Sequence, residues 1–178
     1  YTAIRRKRAI RFYLERLVKR WPAGELESLL FIGAAQILFM PDVPDYAAVS
    51  ETVSAAKSCS NPSIPRVVNG VLRNLIRRRA ELDAQFAEAS ADVRESFPSK
   101  LYARWQKRYG SERAEELMKW HNEPAETYLA WSDGRFTLLP RAQAVMDVEG
   151  YKEGKFIVQD PGTAAAIELL SPAAGEKI

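Results

Sequence analysis

Between Glu25 and Met40 the chain reads Leu29-Leu30-Phe31-Ile32-Gly33-Ala34-Ala35 and continues through Ile37, Leu38 and Phe39 with only Gln36 to interrupt it. A helix that is apolar on nearly all sides has no face to offer to water, so it belongs at the centre of a helical bundle. Its neighbours must then supply amphipathic faces to cover it. From Ala3 to Trp21 the residues Ala3, Ile10, Tyr13, Leu14, Leu17, Val18 and Trp21 share one side of a 3.6-residue helix, with Arg5, Arg8, Arg16 and Lys19 nearly opposite. The spacing predicts one amphipathic helix with a basic outside, stopped by Pro22 and Gly24. Pro41-Asp42-Val43-Pro44-Asp45 is expected to be a loop, because both prolines lack a donor and bias the residue before them away from helix. Helix is expected again from Tyr46 to about Lys57, with Val49, Val53 and Ala56 inward, followed by a loop at Cys59-Ser60-Asn61-Pro62-Ser63.

The next helix places Val67, Val68, Val71, Leu72, Leu75 and Ile76 on an inward stripe. Arg66, Gly70, Arg73 and Arg77 form an outer row at spacings of 4, 3 and 4 residues. Glycine costs about 1 kcal/mol relative to alanine in a helix interior, so Gly70 calls for a reason. Close packing of a neighbouring helix and close approach of a phosphate backbone are the two readings. Residues 80–98, rich in Ala, Glu, Asp and Ser, read as a partly helical connector. Lys100 to Tyr109 and Ser111 to about Trp120 read as two short helices joined at Gly110. After Pro124 the texture changes. Thr127–Trp131 and Phe136–Leu139 are strand candidates around an Asp133-Gly134 turn, and Lys155–Gln159 is a third. Asp160 and Pro161 supply an N-cap and a first-turn proline for a helix to about Leu170, ended by Ser171-Pro172. The expected fold is mainly α: a helical domain over residues 1–98, then linker helices and a small α/β segment over 99–178.

An apolar fraction of 47% against 28% charged residues argues against a chain disordered throughout. No stretch approaches the roughly 18 uninterrupted apolar residues of a membrane span, and a membrane partner is not expected. Cys59 is the only cysteine, which excludes an intrachain disulfide and fits a reducing, cytoplasmic compartment. The net charge of +3 conceals an asymmetry: residues 1–79 carry 14 Lys and Arg against 6 Asp and Glu, and residues 80–178 carry 12 against 17. The basic half is the candidate nucleic-acid face. Solvated helix surfaces are the plainer account of the same charges.

Catalytic constellations are largely missing. His121 is the only histidine, so a Cys/His or Ser/His pair rests on one residue, and no His/Cys cluster has metal-ligand spacing. No phosphate-binding Gly-x-x-x-x-Gly-Lys or Gly-x-Gly-x-x-Gly run occurs. What remains is electrostatic. Guanidinium forks suit phosphate oxygens, so Arg5, Arg6, Lys7, Arg8, Arg66, Arg73, Arg77 and Arg78, with Arg79 beside them, read as a surface that would position RNA without reading its sequence. Tyr102 and Trp105 sit at helical spacing and read as core rather than as stacking platforms.

Leu30-Phe31-Ile32-Gly33-Ala34-Ala35-Gln36-Ile37-Leu38-Phe39, Val43-Pro44 with Ala48-Val49-Ser50-Glu51, and Val68-Asn69-Gly70-Val71-Leu72-Arg73 together resemble the NusB-like domain that precedes the catalytic part of bacterial ribosomal-RNA cytosine-5 methyltransferases. Tyr102-Ala103-Arg104-Trp105-Gln106-Lys107-Arg108-Tyr109-Gly110 with Asn122-Glu123-Pro124 is similar to that family's linker, and Val158-Gln159-Asp160-Pro161 to the lead-in to its Rossmann-type domain. The resemblance implies ribosomal RNA as partner, with no DNA, and S-adenosylmethionine as the cofactor of the parent protein, near which Gln159 and Asp160 would lie. It also implies a strand and glycine-rich loop beyond Glu176-Lys177-Ile178 that bind the cofactor, and two cysteines further on that carry a covalent mechanism. The chain is therefore expected to be a fragment that docks RNA, binds no cofactor itself and is inactive alone. Helices before Tyr1 are expected to be missing, and residues 125–154 look short for the family. The alternative is a non-enzymatic antitermination or adaptor module that binds a protein.

Overall fold

The computed structural model describes residues 1–171, 173, 175 and 176 of the chain; Pro172, expected to help end the last helix, and the closing Lys177-Ile178 lie outside the described residues. The described chain forms two compact units, Tyr1–Glu123 and Pro124–Ile178. Helices make up the first: α1 Thr2–Arg5, α2 Lys7–Glu15, α3 Glu25–Phe39, α4 Asp45–Ala56, α5 Ile64–Arg77, α6 Arg79–Ala87, α7 Ala91–Arg94, α8 Ser99–Tyr109 and α9 Ser111–Asn122. The apolar α3 sits where its composition requires, packed against α1, α2, α4 and α5. Leu30, Phe31, Ala34, Ala35 and Ile37 from α3 share one core with Ile10, Tyr13 and Leu14 of α2, Ala48, Val49 and Ala56 of α4, and Ile64, Val68, Leu72 and Leu75 of α5.

Several expectations need correcting. The single helix from Ala3 to Trp21 is broken at Arg6 and stops at Glu15, well before Pro22. Its basic side is an outside only in part: Arg16 and Lys19 are exposed, whereas Arg5 and Arg8 are held by the bundle. Arg8 donates to Asp92 Oδ2 at 2.9 Å and Arg6 to Glu95 Oε2 at 3.3 Å. The Arg5 guanidinium donates to the Asn122 carbonyl at 3.2 Å. Two carboxylates and a carbonyl 84 to 117 residues away thus hold the start of this face, and after Glu15 the chain turns so that Trp21 meets Phe31 edge-on at 6.0 Å while its indole N–H donates to Glu27.

The stretch expected as a connector is also part of the body. Leu82 of α6 is wholly buried, Phe86 packs on Phe12 and Tyr13, and the Tyr13 hydroxyl donates to Asp83 at 2.8 Å. The helical unit runs on through α8 and α9 to Glu123, past the boundary expected at residue 98. On α5, Val68, Leu72 and Leu75 are buried as the stripe requires, but Val67 at its edge is exposed.

In the second unit β1 (Thr127–Trp131) is the middle strand of a three-stranded antiparallel sheet in the order β2-β1-β3, with β2 at Phe136–Leu139 and β3 at Phe156–Val158. Gly134 takes φ +86° in the turn between β1 and β2, a conformation that glycine adopts at no steric cost. Leu129, Leu139 and Phe156 form a small core with Trp131, Val145 and Val148. Helix α10, Pro161–Leu170, follows β3, and Asp160 caps it by accepting from the Gly162 amide at 2.7 Å.

Candidate nucleic-acid interface

The basic residues of the first unit divide by what their charge meets. Arg6 and Arg8 are paired with Glu95 and Asp92, and Asp92 is almost fully buried. Burial alone would push the Asp92 carboxyl up; hydrogen bonds from Ser90 and Ser99 and the Arg8 guanidinium outweigh it and hold the group below the usual carboxylate range. Arg78 grips Glu81 with two donors at 2.9 and 2.7 Å, which raises its own affinity for the proton and depresses that of Glu81. Arg79 pairs with Asp83 and also donates to the Ile37 carbonyl at 2.7 Å, tying α6 to the end of α3. Arg5 donates to the Asn122 carbonyl and the Tyr1 hydroxyl. Lys7 is exposed. Arg5, Arg6 and Arg8 thus fasten the bundle and Arg78 and Arg79 are paired locally, whereas Arg16, Lys19 and Arg20 are exposed and make no ion pair among the described residues.

The outer row of α5 lines up arginines, unpaired among the described residues, along one helix. Arg66, Gly70, Arg73 and Arg77 are all exposed, as their spacing required. Among the described residues no carboxylate lies within ion-pairing distance of these three guanidinium groups. Arg73 donates to the Asn69 side chain at 2.9 Å and Arg77 to Asn74 at 2.7 Å. An amide oxygen orients a guanidinium without cancelling its charge, so donors and net charge remain for an anion. A Cβ placed on Gly70 would meet nothing within 4 Å, which removes the helix-packing explanation for this glycine. Helix packing instead uses Gly33 of α3, where an added Cβ would stand 2.5 Å from Leu72 Cδ1 and 3.0 Å from the Thr52 hydroxyl.

Beside the row, α4 and α5 enclose a groove of about 380 Å³ lined by Asp45, Tyr46, Val49, Arg73, Ile76 and Arg77. Tyr46 is 78% exposed. The sequence reading passed over it because Tyr46 extends the inward row of Val49, Val53 and Ala56 and so reads as core; it sits in the first turn of α4, at the open end of that row. Its signal in the sequence is an aromatic residue that opens a helix directly after Pro44-Asp45. Of the two aromatics weighed, Trp105 is partly buried, stacked on His121 at 5.8 Å and tilted against Phe97, while the Tyr102 hydroxyl donates to Glu115 at 3.1 Å.

In the second unit Gln159 donates to the Thr163 hydroxyl at 2.8 Å and Asp160 is spent on its cap. Each side chain thus makes one hydrogen bond within the first turn of α10, the role expected of Asp160 as an N-cap. The Cys59 thiol is held above its ordinary value by partial burial and by the neighbouring Glu25 carboxylate, the reverse of what a nucleophile needs. Among the described residues no group of His, Cys, Asp and Glu could hold a metal ion, and no helix is long and apolar enough to cross a membrane.

Residues 1–77 match the NusB family. Along most of its length the chain is similar to proteins named ribosomal RNA small subunit methyltransferase B. It is 30% identical to that of Vibrio cholerae serotype O1, with 84% of this chain and 40% of the relative aligned. To that of Serratia proteamaculans it is 28% identical over 86% and 41%, and to that of Citrobacter koseri 27% over 95% and 45%. The chain thus spans less than half the length of these relatives. They are of the kind that the sequence motifs resemble.

Proposed function

We propose, on the premise that residues 1–77 belong to the NusB family and that the chain resembles ribosomal RNA small subunit methyltransferase B over most of its length, that this chain docks ribosomal RNA for a methyltransferase. The observation that carries the reading is the row Arg66, Arg73 and Arg77, exposed along one side of α5 with no carboxylate to neutralise it. Such a row follows a phosphate backbone and fixes position and register, while sequence is read elsewhere. S-adenosylmethionine as methyl donor and cytosine C5 as target belong to the proposal for the longer protein, and neither is assigned a site among these residues.

The second unit supports the same reading. Ile157 and Val158 of β3 and Ile167, Leu169 and Leu170 of α10 are exposed apolar side chains that a further part of the protein could cover. In the whole protein we place the catalytic part against them. An adaptor that binds only a partner protein through apolar contacts gives no role to the outer row of α5.

Affinity for small-subunit ribosomal RNA across a salt series tests the proposal. Each phosphate contact contributes roughly 0.7–0.9 to the logarithmic slope, so replacing Arg66, Arg73 and Arg77 together by Gln should flatten it by about two. An unchanged slope, or no affinity for the RNA, would sink the reading.

A further inference from the structure

We infer that the groove between α4 and α5 is a seat for one unpaired nucleotide, its base stacked on Tyr46 and its phosphate held by Arg73 and Arg77. This deepens the proposed RNA docking and rests on it.

The two walls differ in chemistry. The α4 wall carries Tyr46, an aromatic side chain left mostly in water, together with the Asp45 carboxylate. The α5 wall carries Arg73 and Arg77, whose side-chain partners are the neutral amides of Asn69 and Asn74. Val49 and Ile76 contribute apolar surface between them. A nucleotide has the same polarity, with a flat apolar ring at one end and a phosphate at the other. Asp45 repels phosphate from the tyrosine side, so the ligand has one favourable orientation. The base lies toward α4, where Asp45 can accept from an exocyclic amino group, and the phosphate lies toward α5.

Size and exposure favour an unpaired nucleotide over a duplex. At about 380 Å³ the groove is near the small end of ligand sites, of the order that takes a nucleotide rather than a helix. A base can stack on Tyr46 only if it has left its own stack, and splayed single-stranded bases are the usual targets of aromatic side chains in RNA recognition. Arg66 and the open flank at Gly70 continue the row along α5, so the strand leaving the groove meets another guanidinium. An exposed tyrosine beside two uncompensated arginines has no structural duty in the bundle, unlike Arg6, Arg8 and Arg79, which hold helices together.

Fluorescence anisotropy with this chain, a short single-stranded oligoribonucleotide of mixed sequence and the blunt duplex of the same strand tests the assignment. Tyr46→Ala should weaken single-strand binding by roughly five- to a hundredfold. It should leave duplex binding within about twofold, with the melting curve unchanged because the side chain is exposed; Tyr46→Phe should bind as the parent does. If Tyr46→Ala binds the single strand normally while Arg73→Gln weakens it, the nucleotide seat is wrong and the RNA-docking reading stands. Equal loss on both RNAs also overturns the seat. If the unsubstituted chain binds neither RNA, both readings fall.

Discussion

Two glycines in two helices of the same bundle make a controlled pair. Gly33 lies in α3 and Gly70 in α5, both inside helices, so replacing either by alanine gains about 1 kcal/mol of helix propensity. Their surroundings are opposite. At Gly70 the new methyl group meets nothing within 4 Å, so Gly70→Ala should stabilise by the full amount, roughly 3–6 °C in melting temperature for a unit of this size. At Gly33 it would stand 2.5 Å from Leu72 Cδ1 and 3.0 Å from the Thr52 hydroxyl. Leu72 is wholly buried and cannot swing into water, and the Thr52 hydroxyl is engaged with the Ala48 carbonyl at 2.7 Å. Overpacking of this kind costs about 1–3 kcal/mol, so Gly33→Ala should lie that far below Gly70→Ala on urea denaturation followed by circular dichroism. Trimming Leu72 to valine removes the clashing methyl group. Leu72→Val should therefore cost at least about 0.5 kcal/mol less in the Gly33→Ala background than alone. Equal stabilisation by both alanines, or additivity in the double variant, would refute the close approach of α3 and α5.

The Asp92 site should show in acid. Its folded carboxyl is depressed, so the stability it contributes is present above the ordinary carboxylate value of about 3.9 and is lost as pH falls through the lower folded value. Asp92→Asn should cost roughly 1–3 kcal/mol at neutral pH, the gap to the parent closing below about pH 4 in melts across a pH series; a gap independent of pH would count against the Arg8 pairing. With its single cysteine a poor thiolate, the chain incubated with labelled S-adenosylmethionine and small-subunit ribosomal RNA should incorporate no methyl group, and scintillation counting of the recovered RNA would expose any that it does.

What the letters reveal is what is decided locally or by composition. The central place of α3 follows from its having no polar face, the outer row of α5 from spacing alone, and the Asp160 cap from two adjacent residues. The hairpin at Asp133-Gly134 is equally local, since Asp133 accepts from the Arg135 amide two residues on. Contacts distant in sequence decide the rest. Nothing near Arg6 or Glu15 announces that the first helix breaks there; the groups that meet the backbone at these points, Ser96 accepting from the Arg8 and Ala9 amides and Arg78 donating to the Arg16 carbonyl, lie far along the chain. The same applies to α6, which reads as a connector until Leu82 and Phe86 are seen in the core of the other helices. Gly70 drew attention because it punctuates a charged row, whereas Gly33, hidden in an apolar run, is the one that lets two helices meet.

The arginines show most clearly where composition stops being informative. Counting them located the basic half, and every one of them could touch phosphate on charge alone. Desolvating a guanidinium already bound to a carboxylate, or stripping that carboxylate away, would cost a ligand the interaction being lost. Arg6, Arg8 and Arg78 are in that position, so their availability to RNA falls although their formal charge is unchanged. Arg73 and Arg77, anchored by asparagines, are held in place and remain positive. On the proposed reading, the partner of each arginine, rather than the number of arginines, sets where an anion can bind, which favours α5 beside Tyr46 over the paired Arg6 and Arg8 of the N-terminal segment.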